Sequence, residues 1–143
     1  MELVLVPHKA QGMKEAHMLG KPPFTIADNC AVGVKSLDAS AQWYKEKLKL
    51  RDVGGRRADD SGRPFVDLSA SSKDAFVSLV ELAPGAVSEK QHVIFWTKNL
   101  DKAREWFASQ GIATDSITTD SGGNRLFQFY DLDGNAIEVC VEP

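Results

Sequence analysis

The chain of 143 residues has no long hydrophobic run and no excess of positive charge. No apolar stretch approaches the roughly 20 residues that a membrane-spanning helix needs. The 17 basic residues are outnumbered by 20 acidic ones, so the net charge is -3 and we expect no binding to nucleic acid or to membranes. No basic and then apolar leader follows Met1, which favours a cytoplasmic protein.

Cysteine is also scarce, since only Cys30 and Cys140 occur and no CxxC motif is present. Two isolated cysteines favour reduced thiols, although a disulfide between them stays open from sequence alone. The remaining composition, with 43% hydrophobic and 26% charged residues, is typical of a globular protein. A chain of this size buries roughly two-thirds of its surface, which is enough for one substantial core.

What the sequence does contain is an internal repeat. Residues 36–44 (SLDASAQWY) align with residues 99–107 (NLDKAREWF), with identical Leu, Asp and Trp at matched positions. Ser36 and Asn99 are good N-cap residues, and apolar residues follow each of them at helical spacing. Both segments are therefore predicted to be amphipathic helices.

The repeat extends to both sides of the helices. Strand-like runs precede them, DSG turns follow them, and each unit ends in a β-rich run that contains a glutamate. These runs cover residues 30–34, 65–68 and 80–82 in the first unit, and 92–97, 126–130 and 137–139 in the second; the turns are at 60–62 and 120–122. The expected fold is α+β: two paired βαβββ units form a curved mixed sheet around a cleft, with the helices outside.

We assign the units to residues 26–82 and 92–143, joined by a linker at 83–91 that contains Pro84 and Gly85. Together they make a single domain over residues 26–143. Residues 1–25 are predicted to be an N-terminal strand followed by an arm. His8, His17 and Glu2 in this segment are candidate additional ligands for the site described next.

This repeat, with the turn DLDGN at 131–135 before the final strand, resembles the vicinal oxygen chelate superfamily. That group includes glyoxalase I, extradiol dioxygenases, methylmalonyl-CoA epimerase and bleomycin-resistance proteins. In its metal-dependent members the first strand of a unit supplies a histidine and the closing strand supplies a glutamate. Carried over by position, the resemblance implies the ligands Glu81, His92 and Glu138, whereas Asn29 stands where the first unit would have its histidine.

One imidazole and two carboxylates suit a divalent ion such as Zn, Ni, Mn or Fe. The resemblance therefore implies a metal-dependent lyase, isomerase or epimerase that acts on a small substrate with vicinal oxygens. Glu81 or Glu138 would be the catalytic base. Asn29 disfavours a dioxygenase, because non-haem iron oxygenases use two histidines and one carboxylate.

Each candidate also has an ordinary structural interpretation. His92 could be a plain strand residue, and either glutamate could pair with Arg125 or with a backbone group. Trp96, Asn29 and Cys140 are the candidate substrate-binding residues. Trp96 and Cys140 are expected on the cavity side, where they either contact a substrate or simply pack.

The alternative function is a metal-free, small-molecule binding protein of the bleomycin-resistance type. Asn29 favours it, and so do the small residues Ala31 and Gly33, which would widen the cavity. The resemblance also implies a homodimer.

Overall fold

The computed structural model describes residues 22–71, 75–88 and 92–143. Residues 1–21 of the strand and arm predicted at the N-terminus, including Glu2, His8 and His17, lie outside these residues. In chain order, the strands are β1 (Thr25–Ile26), β2 (Cys30–Val34), β3 (Arg51–Asp52), β4 (Arg57–Ala58), β5 (Pro64–Ser69), β6 (Phe76–Glu81), β7 (Ile94–Thr97), β8 (Thr118–Thr119), β9 (Arg125–Tyr130) and β10 (Ala136–Val141). The helices are α1 (Leu37–Lys47) and α2 (Leu100–Ser109).

The strands form two mixed sheets, one for each repeat. The order is β2-β6-β5-β3 in the first sheet, where β4 also pairs with β5, and β1-β7-β10-β9-β8 in the second. In both, the strand before the helix pairs in parallel with the closing strand, which is antiparallel to its predecessor. The predicted α+β fold of two βαβββ units is thus confirmed. The strands form two sheets, and β1 pairs antiparallel with β7 at the edge of the second.

Both helices begin where the repeat predicts. The Ser36 side chain accepts a hydrogen bond from the backbone N–H of Ala39, and the Asn99 side chain accepts one from Lys102. Asp38 and Asp101 lie in the first turns, next to the positive end of each helix dipole. These contacts satisfy N–H groups that have no partner inside the helix.

The hairpin turns correct one detail of the sequence alignment. Gly62, Gly123 and Gly134 have φ near +80°, and each lies three residues after an aspartate. That aspartate accepts hydrogen bonds from the backbone N–H groups two and four residues ahead. Asp59, rather than Asp60, is therefore the counterpart of Asp120, because the turn requires glycine at the fourth position.

The two halves are joined by a loop at residues 131–135. Its Asn135 side chain donates a hydrogen bond to the carbonyl oxygen of Gly33 on β2, at 3.2 Å. The backbone N–H of Lys35 donates to the Asp133 carboxylate, at 2.7 Å. Phe24, just before β1, stacks on Phe95 and Phe107 in the core of the second half. The two hydrogen bonds of the loop, from Asn135 to Gly33 and from Lys35 to Asp133, hold the halves against each other.

Candidate functional site

The site is built around the open face of β10. Ile137 and Val139 are fully buried in the core. Successive residues of a strand point to opposite faces, so Glu138 and Cys140 project from the other side. The backbone N–H of Glu138 donates to the carbonyl oxygen of Val93, which holds this part of β10 beside the chain that enters β7.

His92 lies in that entering chain, two residues before β7. Its Nε2 is 2.6 Å from Oε2 of Glu138. The imidazole is 73% exposed, whereas the Glu138 side chain is only 22% exposed. His92 and Glu138, the two candidate ligands of the second unit, thus lie in contact as an imidazole–carboxylate pair at the surface.

A cavity of about 460 Å³ adjoins this pair. Its walls combine polar and apolar groups from both halves: Val32, Ser88, His92, Val93, Gln128, Gly134, Asn135, Ala136, Ile137 and Glu138. Gln128 lies directly opposite Glu138 in the antiparallel pair of β9 and β10, so the two side chains share a face. Gln128 is not among the residues predicted from the sequence, although its even spacing from Leu126 and Tyr130 is the signal that could have identified it.

Glu81 lies elsewhere. Its carboxylate accepts a hydrogen bond of 3.0 Å from the backbone N–H of Leu37, at the start of α1. Val34 and Thr97 occupy matched positions, and they pair with Glu81 and Val141 respectively. Val141 is therefore the counterpart of Glu81. Because Glu138 lies three residues before Val141, its own counterpart lies three residues before Glu81. An odd offset puts a side chain on the opposite face of its strand.

That counterpart is Ser78, and it belongs to a polar cluster on the first sheet. The Ser78 hydroxyl and the Arg57 guanidinium both donate to the carboxylate of Asp67, which is 8% exposed. Arg57 also lies over the ring of Phe65, 4.9 Å from its centroid. Asp67 and Ser78 thus occupy in the first half the positions of Gln128 and Glu138 in the second, and Arg57 forms an ion pair with Asp67 there.

Asn29 is also used structurally. Its side-chain oxygen accepts a hydrogen bond of 3.0 Å from the backbone N–H of Phe76. The contact extends the pairing of β2 with β6 by one step. The amide that replaces a histidine in this position therefore closes the end of the first sheet and does not line the His92 cavity.

Trp96 and Cys140 lie side by side on the face of the sheet that carries Glu138. Trp96 lines a separate cavity of about 310 Å³, together with Phe24, Thr25 and other residues. Burial first, and then the charges of Glu138 and Asp120, raise the pKa of the Cys140 thiol. Cys30 and Cys140 are both free thiols, as expected.

The ligand set implied by the resemblance is not brought together. Among residues 22–71, 75–88 and 92–143, no three His, Cys, Asp or Glu side chains are placed so that they could hold a metal ion. The reason is the odd offset of Glu81, which turns its carboxylate toward helix α1. The described residues supply two donors, His92 and Glu138, and they do not fit a three-ligand centre.

Comparison with known proteins decides the family. The model of the Glyoxalase/Bleomycin resistance protein/Dioxygenase superfamily matches residues 26–139. The chain belongs to this superfamily. No curated protein matches this chain. Among the described residues, no helix is long and apolar enough to cross a membrane.

Solved structures resemble this glyoxalase-like chain in fold. An integron cassette protein from the Halifax Harbour sewage outfall metagenome is 23% identical, with a TM-score of 0.64 over 81% of this chain and 98% of that one. A glyoxalase family protein from Enterococcus faecalis is 19% identical, with a TM-score of 0.60 over 79% and 94%. TioX from Micromonospora sp. ML1 is 17% identical, with a TM-score of 0.60 over 82% and 99%.

Proposed function

We propose that this protein binds a small organic molecule in the His92 cavity without the help of a metal ion. The observation that carries the proposal is the pair of His92 and Glu138 on the wall of a 460 Å³ cavity, while Glu81 is engaged at helix α1. A pocket of this size, with apolar walls and a few convergent polar groups, is typical of small-molecule sites.

The polar groups define what the ligand can offer. The Glu138 carboxylate accepts hydrogen bonds and attracts positive charge. The Gln128 amide beside it can donate and accept. Ala136, two residues before Glu138 and on the same face of β10, supplies apolar surface. A ligand with an amine or hydroxyl group next to an apolar body fits this arrangement best.

The test is a ligand-observed NMR screen of a fragment library against protein treated with EDTA. We expect amine- and hydroxyl-bearing fragments to bind wild type, and binding to be lost in Glu138→Gln and weakened in His92→Ala. Glu105→Gln, on the exposed side of helix α2, is the matched control and should bind as wild type does. Binding that is equal in all four proteins would contradict the proposal.

A second candidate is the metal-dependent lyase, isomerase or epimerase that the family resemblance implies. It is favoured by the convergence of an imidazole nitrogen and a carboxylate oxygen at 2.6 Å, since both are common ligands of divalent metals. Elemental analysis after incubation with Zn, Ni, Mn and Fe salts tests it. About one metal ion per chain in wild type, and none in His92→Ala, would support this candidate over the first.

We further propose that the protein is a homodimer, which rests on the family resemblance. Sedimentation over a range of concentrations tests this, and a monomer at every concentration would refute it. The cytoplasmic location expected from the sequence stays a prediction.

A further inference from the structure

A second cavity adjoins the first. It has a volume of about 330 Å³ and lies over β2 and β6 of the first half. Val32 and Ser88 line both cavities, so the two spaces meet at these residues. We call the first space the His92 lobe and the second the Arg63 lobe.

The Arg63 lobe ends at the side chain of Arg63, and only part of the guanidinium has a hydrogen-bond partner in the described part of the chain. The Arg63 Nε donates to the Asp59 carboxylate at 3.3 Å, and this carboxylate also accepts the backbone N–H groups of Ser61 and Arg63. The two terminal nitrogens of Arg63 take no partner from the described part of the chain. Two such nitrogens match the two oxygens of a carboxylate or phosphate group.

Between its charged end and the His92 lobe, the Arg63 lobe is lined mainly by apolar groups. Ala31, Gly33, Val80 and Leu82 contribute to its walls. A Cβ atom at Gly33 would lie 2.7 Å from the Leu82 side chain, so glycine leaves room for that side chain on this wall. The joined cavities therefore have an apolar middle, the Glu138 carboxylate beside His92 at one end, and at the other the Arg63 guanidinium, which shares only its Nε with Asp59.

We propose that the two lobes bind one elongated molecule, which carries a basic group at one end and an anionic group at the other. The basic group lies against Glu138, the apolar middle passes Ala31 and Val80, and the anionic group is held by Arg63. The inference rests on the proposed function, because it extends the ligand of the His92 lobe. Arg63 is then the residue that selects ligands with an anionic tail.

The test is a series of straight-chain α,ω-amino acids of increasing length, with alkylamines and fatty carboxylates of equal length as controls. Affinity is measured by NMR titration. We expect one optimal length at which the amino acid binds about ten-fold more tightly than the corresponding amine. In Arg63→Gln this advantage should disappear, while the alkylamine should bind as it does to wild type.

Arg125→Gln is the matched control, because it removes an exposed arginine that lines neither lobe. It should keep the full advantage of the amino acid, and thermal melts should show all variants folded. If alkylamines bind through Glu138 but the carboxylate adds nothing at any length, the inference fails and the proposed function stands. If neither series binds, both fail. An equal loss in Arg63→Gln and Arg125→Gln would also overturn the inference.

Discussion

The phenol of Tyr44 on helix α1 donates a 2.6 Å hydrogen bond to the carboxylate of Asp131, 87 residues further along the chain. Both residues are buried. The other oxygen of Asp131 accepts the backbone N–H groups of Asp133 and Asn135, and the Asn135 amide donates to Asp131 as well. One carboxylate thus fixes the loop that lines the His92 cavity and attaches it to the first half.

Replacing Tyr44 by Phe should destabilise the protein. The variant keeps the ring but leaves a buried carboxylate with one donor fewer, which costs about 1–3 kcal/mol. Urea unfolding measures the change. Tyr130→Phe is a matched control, because its hydroxyl makes an equally short bond to Asp115 at an exposed position. An equal loss in the free energy of unfolding for Tyr130→Phe and Tyr44→Phe would contradict this prediction.

Stability should also fall at alkaline pH because of Tyr44. Burial first, and then the charge and hydrogen bonding of Asp131, raise the pKa of Tyr44 well above its usual value near 10. The stability linked to this group is complete below pH 10, and it declines as the unfolded chain ionises above that, by up to about 1.4 kcal/mol per pH unit. Unfolding from pH 9 to 11.5 should show an extra decline in wild type that is absent from Tyr44→Phe.

Stability should also fall at acid pH, because of the turn aspartates Asp120 and Asp59. A backbone hydrogen bond from Asn124 is the main cause that lowers the pKa of Asp120, and one from Arg63 does the same for Asp59. Their contribution is present above the unfolded value near 3.8, and it is lost as pH falls through the lowered values. Asp120→Asn keeps an acceptor oxygen, so it should flatten the decline in stability between pH 4 and pH 2.

The control for the acid branch is Asp60→Asn. It removes the carboxylate next to Asp59, in the corresponding turn of the first half, and Asp60 accepts none of the hydrogen bonds in the described part of that turn. Its stability should decline with acid as steeply as that of wild type. If the stability of Asp120→Asn declines with acid as steeply as that of wild type and of Asp60→Asn, the Asp120 carboxylate is ruled out as the cause.

Glu81 should matter for stability and not for ligand binding. Glu81→Ala leaves the Leu37 N–H at the start of helix α1 without its carboxylate partner, which costs about 1–2 kcal/mol. Fragment binding should be unchanged within two-fold. A variant with normal stability but no binding would instead make Glu81 part of the site, as the sequence analysis expected.

The fold could be predicted because its signals are local and occur twice. Ser36 and Asn99 mark the two helix starts, and matched apolar runs mark the strands. Counted from the two N-caps, Asn29 and His92 occupy the same place in their units. The alignment of the closing strands β6 and β10 was wrong. Each strand has a glutamate between apolar residues, but Glu81 and Glu138 do not occupy the same place in the two strands.

The site was harder to predict because strand phase decides which face a residue occupies. Glu81 and Glu138 have similar neighbours in sequence, yet only hydrogen-bond register reveals that Ser78 is the counterpart of Glu138. The closed cluster of Arg57 and Asp67 has no local motif at all, since its members come from different strands. Such contacts depend on pairing between strands, which a single sequence does not display.

The central claim is that Glu138 binds a small molecule without a metal ion. Isothermal titration of the tightest library fragment into EDTA-treated protein, repeated after addition of Zn salt, tests it most directly. We predict the same affinity with and without Zn for wild type, and no measurable heat of binding for Glu138→Gln. Binding that requires Zn, or that persists in Glu138→Gln, would contradict the account.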